Sequence, residues 1–109
     1  MMMSDTPAAA LAACAEDAAS VLKLLANAQR LIVLCRLSAG EASVNTLVEL
    51  TGQAQSSVSQ HLAKLREGGM VATRREGTTI FYRLADEGVH ALIDMLCDRF
   101  GGPAKVAQV

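Results

Sequence analysis

Most of the chemistry open to this chain of 109 residues lies in three thiols and in one polar helix face. Cys14, Cys35 and Cys97 are scattered, with neither a CxxC pair nor a Cys/His spacing that would hold zinc. In a reducing compartment such cysteines are free thiols, redox sensors or small apolar filler, not structural disulfides. His61 has no companion ligands near it, and His90 is expected to be a solvated helix residue. No nucleophile, base and orienting group, and no phosphate loop, can be assembled from the motifs, so the expectation is a non-enzyme with no cofactor and no metal site.

The polar face lies in QSSVSQHLAKLREGG, where Val58, Leu62 and Leu65 fall on one side of a helix and leave Ser57, Gln60, His61 and Lys64 on the other. Gln60 can bond adenine through two contacts, Ser57 can reach a base or a phosphate, and Lys64 is placed for guanine or phosphate. Before this helix, SVNTLVELTG reads as a shorter one capped by Ser43 and ended at Gly52. After it, MVATRREGTTIFYRL reads as a hairpin turning at Glu76-Gly77-Thr78, with Arg74 and Arg75 near its tip. That order is a helix-turn-helix with a charged wing, and double-stranded DNA is the expected partner.

Charge distribution supports DNA where the total does not. The formal charge is −1, yet residues 64–83 carry a local +3, and the segments on either side each sum to −2. Positive charge is thus concentrated where phosphates would be neutralised.

The remaining elements are helical. An Ala-rich run from Pro7 to about Ala26 carries a stripe of Ala18, Val21, Leu22 and Leu25, and Asn27 can cap a helix through Leu37 whose inward face would hold Ala28, Leu31, Ile32 and Cys35. A last helix, EGVHALIDMLCDRF, carries Val89, Leu92, Ile93, Leu96 and Phe100. The expected fold is mostly α with a small β-hairpin wing. It forms a single domain over 1–109, with 1–10 and 102–109 as disordered tails. With 51% hydrophobic residues but no apolar run near the roughly 20 needed to cross a bilayer, and no basic start to MMMSDTPAAALAAC, no membrane contact is expected and the compartment is the cytoplasm.

Over about residues 18–100, the order of LAN-x-x-R-L helix, SVSQHLAKLREGGMV, wing TRREGTTIFYRL and closing helix resembles the ArsR/SmtB family of winged-helix repressors. The resemblance implies a homodimer joined through the first and last helices, and an inducer that releases DNA. It makes Gln55, Ser56, Ser57, Ser59, Gln60, His61 and Lys64 the readout helix and gives Arg74, Arg75 and Thr78 to the wing. Ala54 stands where the family has a Ser or Thr cap.

The metal-binding positions of other family branches are largely missing. VELTGQA has no thiol, Asp86 matches one ligand position, but Gly88 and Arg99 replace histidines and His90 is off register. Cys35 in LIVLCRL does match the second-helix cysteine of the BigR/SqrR-type persulfide and redox sensors. Their second cysteine follows an aromatic residue at the end of the last helix, where this chain has Phe100-Gly101; Cys97 lies one turn earlier. By that resemblance Cys35 and Cys97 are sensor thiols for a reactive sulfur species or an oxidant. Two alternatives stay open: an arsenic(III) or soft-metal site of Cys14, Cys35 and Cys97, and a winged helix used for protein contacts.

Overall fold

The computed structural model describes residues 6–101. Their order is α1 (Pro7–Ala13), α2 (Ala15–Leu25), α3 (Ala28–Ser38), β1 (Ala42–Ser43), α4 (Val44–Thr51), α5 (Gln55–Glu67), β2 (Val71–Glu76), β3 (Thr79–Leu84) and α6 (Glu87–Gly101). The mostly helical winged-helix class is therefore present, and no single helix is long and apolar enough to cross a membrane among the described residues.

Local signals account for most boundaries. The Asn27 side chain accepts from the Gln29 and Arg30 amides at 3.0 and 3.1 Å, and the Ser43 hydroxyl accepts from the Thr46 amide at 3.3 Å. Each satisfies donors that a helix start leaves bare. Gly52 ends α4 at φ 71°, a left-handed conformation that glycine adopts without a Cβ clash. Replacing Ser43 by Ala should destabilise the fold by about 1 kcal/mol. A urea midpoint that does not move would show that the 3.3 Å contact contributes nothing.

The N-terminal region departs from expectation twice. Helix begins at Pro7, capped by Thr6, so residues 7–10 are not a tail; residues 1–5 and 102–109 lie outside the described residues. The Ala-rich run is also two helices, because Cys14 (φ −133°, ψ 29°) leaves helical geometry and starts α2 afresh.

The core sits where α3, α4, α5 and α6 meet the sheet. Leu34, Leu47, Leu62 and Leu65 are fully buried. On α3 the innermost residues are Val33, Leu34 and Leu37, not the expected stripe: Ala28 and Ile32 are exposed, and Leu31 and Cys35 are half-buried. The reason is that α3 is central and packs on two sides, with α6 covering the second face only in part. The sheet order is β1-β3-β2, all antiparallel, and β1 is a two-residue strand pairing Ala42 with Tyr82 and Ser43 with Phe81. That short pairing ties the start of α4 to the root of the hairpin. At the tip, Glu76 pairs with Thr79, leaving a two-residue loop in which Gly77 takes φ 65°. Positive φ at the first loop position is the type II′ pattern, whose twist matches the strands.

Candidate nucleic-acid interface and thiol pair

Helix α5 starts without a side-chain cap: Ala54 supplies only its carbonyl, which accepts from the Ser57 and Val58 amides at 3.1 and 3.2 Å. Val58, Leu62 and Leu65 are buried one and two turns apart and fix the rotation of the helix. The opposite face leaves Gln55, Ser56, Ser59, Gln60 and Lys64 exposed. Ser57 and His61 sit at the flank and are half-buried, which corrects the expectation that they share the open face. Burial pushes the His61 imidazole pKa down, with Arg30 and Lys64 adding electrostatic repulsion, and its Nδ1 is buried with no hydrogen-bond partner. This keeps the ring neutral over a wider pH range than an ordinary histidine.

The wing brings its tip to the start of α5. Gln55, Thr78 and Thr79 line one polar cleft with Ser43 and Asn45. Asn45, in the first turn of α4, is absent from the residues picked out by sequence, and only its place opposite Gln55 marks it.

The two wing arginines differ. The Arg74 guanidinium donates to both oxygens of Glu41, with Nε at 2.9 and 3.0 Å, stacks 4.7 Å over the Phe81 ring, and lies 3.6 Å from Glu76. The hydrogen bond from Arg74 holds the Glu41 carboxyl below its usual range. Arg75 points to the other side of β2, exposed and without an ion-pair partner among the described residues. Of the pair, Arg75 alone offers an unengaged charge; Arg74 fastens the wing to the loop before β1.

The thiols divide the same way. Cys35 on α3 and Cys97 on α6 are joined by a disulfide, with Cα atoms 6.3 Å apart, within the roughly 4.4–6.8 Å that such a bond requires. The one-turn offset of Cys97 is thus no obstacle to its meeting Cys35. Both residues are half-buried and line a cavity of about 350 Å³ with Leu31, Ile32, Ile93, Leu96 and Phe100. Cys14 is exposed at the α1–α2 junction, where its Sγ lies 3.6 Å from the Ala10 carbonyl. No cluster of three or more metal-ligating side chains occurs among the described residues, so the three cysteines are not gathered into one site.

His90 is not simply solvated as its place on the helix suggested. Its Nε2–H donates to the Ser38 carbonyl at 3.2 Å, joining the start of α6 to the end of α3, and Asp94 lies 3.6 Å away.

Residues 27–73 match the family described as bacterial regulatory protein, arsR family. A curated relative, the HTH-type transcriptional regulator KmtR of Mycobacterium tuberculosis, is 55% identical over 73 residues, covering 67% of this chain and 56% of its own length. The biofilm growth-associated repressor of Agrobacterium fabrum is 41% identical over 101 residues, covering 93% of this chain and 86% of that protein. Among solved structures, a homodimeric winged helix-turn-helix DNA-binding domain from Mycobacterium bovis superposes with a TM-score of 0.71 at 40% identity, covering 78% of this chain and 79% of that one. With the helix order, the wing and these likenesses in agreement, the chain belongs to the arsR family of bacterial regulatory proteins.

Proposed function

We propose that the chain is a cytoplasmic, homodimeric repressor that sets α5 into the major groove of a two-fold operator and is released when Cys35 and Cys97 become linked. The carrying observation is the meeting of these two cysteines, 62 residues apart in sequence, on helices α3 and α6. The exposed face of α5, the free Arg75 and the +3 of residues 64–83 support DNA as the ligand. Leu11, Leu22, Met95 and Phe100, each more than half exposed on α1, α2 and α6, support a second copy as their cover.

The chemistry requires a sulfur donor or an oxidant. With a persulfide RSSH, the Cys35 thiolate attacks the terminal sulfur, expels RS⁻ and becomes Cys35–SSH. The Cys97 thiolate then attacks the sulfur still attached to Cys35, the new Sγ–Sγ bond forms, and HS⁻ leaves. The cysteines lose two electrons, and the transferred sulfur is reduced to hydrogen sulfide. A second persulfide instead converts Cys97 as well, and the two groups condense to a trisulfide with loss of hydrogen sulfide. Linking α3 to α6 alters the packing on which the two copies' readout helices depend, and these must match half-sites about 34 Å apart.

The test treats fully reduced protein separately with glutathione persulfide, hydrogen peroxide and oxidised glutathione. Intact-mass and peptide mapping follow the bridge, and fluorescence anisotropy follows binding to DNA from upstream of its own gene. The bridged form should bind roughly tenfold or more weakly than the reduced one. Equal affinities would end the thiol-release reading, and failure of reduced protein to bind any operator fragment would end the repressor reading.

On DNA, Gln60→Ala should cost about 1–3 kcal/mol on the operator and much less on random sequence, whereas Arg75→Ala should weaken both alike and reduce the salt slope by about 1. Equal losses for Gln60→Ala on the two DNAs would remove Gln60 from the base-reading set.

A further inference from the structure

The cavity beside the thiols has a chemical character that bears on which molecule reaches them. Leu31 lies one turn from Cys35 on α3, Ile93 lies one turn before Cys97 on α6, and Leu96 and Phe100 stand a turn apart on α6. Together with Ile32 they surround the sulfurs with hydrocarbon, and none of the side chains lining the cavity carries a charge. The volume, about 350 Å³, is within the range of small-molecule sites. The cavity opens beside Ile32, which is 40% exposed, while Phe100 at its other edge is one of the residues that the second copy is proposed to cover.

Resting on the thiol-release reading, we propose that this cavity is a donor-selecting site that admits organic persulfides with an uncharged, apolar carbon group in preference to charged peptide persulfides. A benzyl or short alkyl group entering beside Cys35 removes apolar surface from water on both partners. A donor such as glutathione persulfide must instead bring two carboxylates and an ammonium against a wall offering no charged partner, so its charges stay in water and little of it is buried. The reaction is the one already written: RSSH and two thiols give the Cys35–Cys97 disulfide, RSH and hydrogen sulfide. Selection acts on the approach of R, with the sulfur chemistry unchanged. The cavity thereby favours the carbon skeleton of the donor as well as its sulfane sulfur, and so points to products of apolar thiol metabolism as the signal class.

The experiment uses the full chain, fully reduced and carrying Cys14→Ser so that the exposed thiol does not consume reagent. Benzyl persulfide and glutathione persulfide are compared at equal concentration, each with N-acetylcysteinamide in the same tube as a reference thiol that cancels intrinsic reactivity. Intact mass reads bridge closure as loss of two hydrogens. Relative to the reference, benzyl persulfide should close the bridge about tenfold faster. Ile32→Asp, a change at an already exposed position, should bring the two donors to within about twofold. Equal rates in the parent chain, or a preference unchanged by Ile32→Asp, would overturn the donor selection and leave the thiol switch standing. Slow, non-selective closure with both donors would mean that the partner copy seals the cavity, which also overturns it. No bridge from either donor would overturn both readings.

Discussion

If persulfide releases the native protein from its operator, a chain carrying Cys35→Ser or Cys97→Ser should stay bound through the same exposure. The two variants should differ chemically even though they behave alike on DNA. With Cys97→Ser, Cys35 still accepts a sulfur atom and the mass rises by one sulfur, but no second thiol exists on α6 to expel it as hydrogen sulfide. With Cys35→Ser, α3 has no thiol and any modification falls on Cys97 or on the exposed Cys14. The contrast separates modification from cross-linking, because only the native pair, with Cα atoms 6.3 Å apart, can be bridged. The measurement is operator binding beside the mass spectrum of the same sample. Release of persulfidated Cys97→Ser would show that charge or bulk at Cys35 suffices and would sink the bridging mechanism.

The second large effect is on stability. The bridge closes a loop spanning 62 residues of sequence, which contains α4, α5 and both long strands. Restricting the unfolded chain to conformations that keep those ends together should raise unfolding free energy by about 4 kcal/mol in the chain-entropy description. Urea unfolding of the native chain with and without reductant should show this difference, with Cys35→Ser unaffected by reductant. Coincident curves for oxidised and reduced native chain would mean that strain or residual unfolded structure cancels the gain. The bridged form, which the proposed mechanism takes off DNA, is thus expected to be the more resistant to heat and denaturant.

Features carried by one residue and its near neighbours were legible in the sequence. Asn27 and Ser43 as caps, Gly52 as a stop, the Gly77 turn and the buried side of α5 all follow from local rules and appear where those rules put them. Features that depend on distant partners were not. Strand β1 exists only because β3 lies beside it, and two residues carry no periodicity to read. Arg74 reads as a free cation until Glu41, 33 residues earlier, is brought against it. His61 sits on the polar side of its helix by count, but in the fold it is half-buried and close enough to Arg30 of α3 to feel its charge. The break at Cys14 falls within a run of nearly uniform helix propensity, where nothing local singles out that residue. The register of Cys97 shows the same limit: a one-turn shift along a helix looked like a mismatch, and only the relative placement of α3 and α6 shows that the thiols meet.

The contact from His90 to the Ser38 carbonyl gives α6 a fixed point. Seven residues separate His90 from Cys97, a span of roughly 10 Å along the helix axis. In this disulfide-linked form one end of α6 is tied to the end of α3 by that hydrogen bond and the other end by the bridge. Removing the bridge should therefore loosen α6 first at its Phe100 end, the end furthest from the His90 contact.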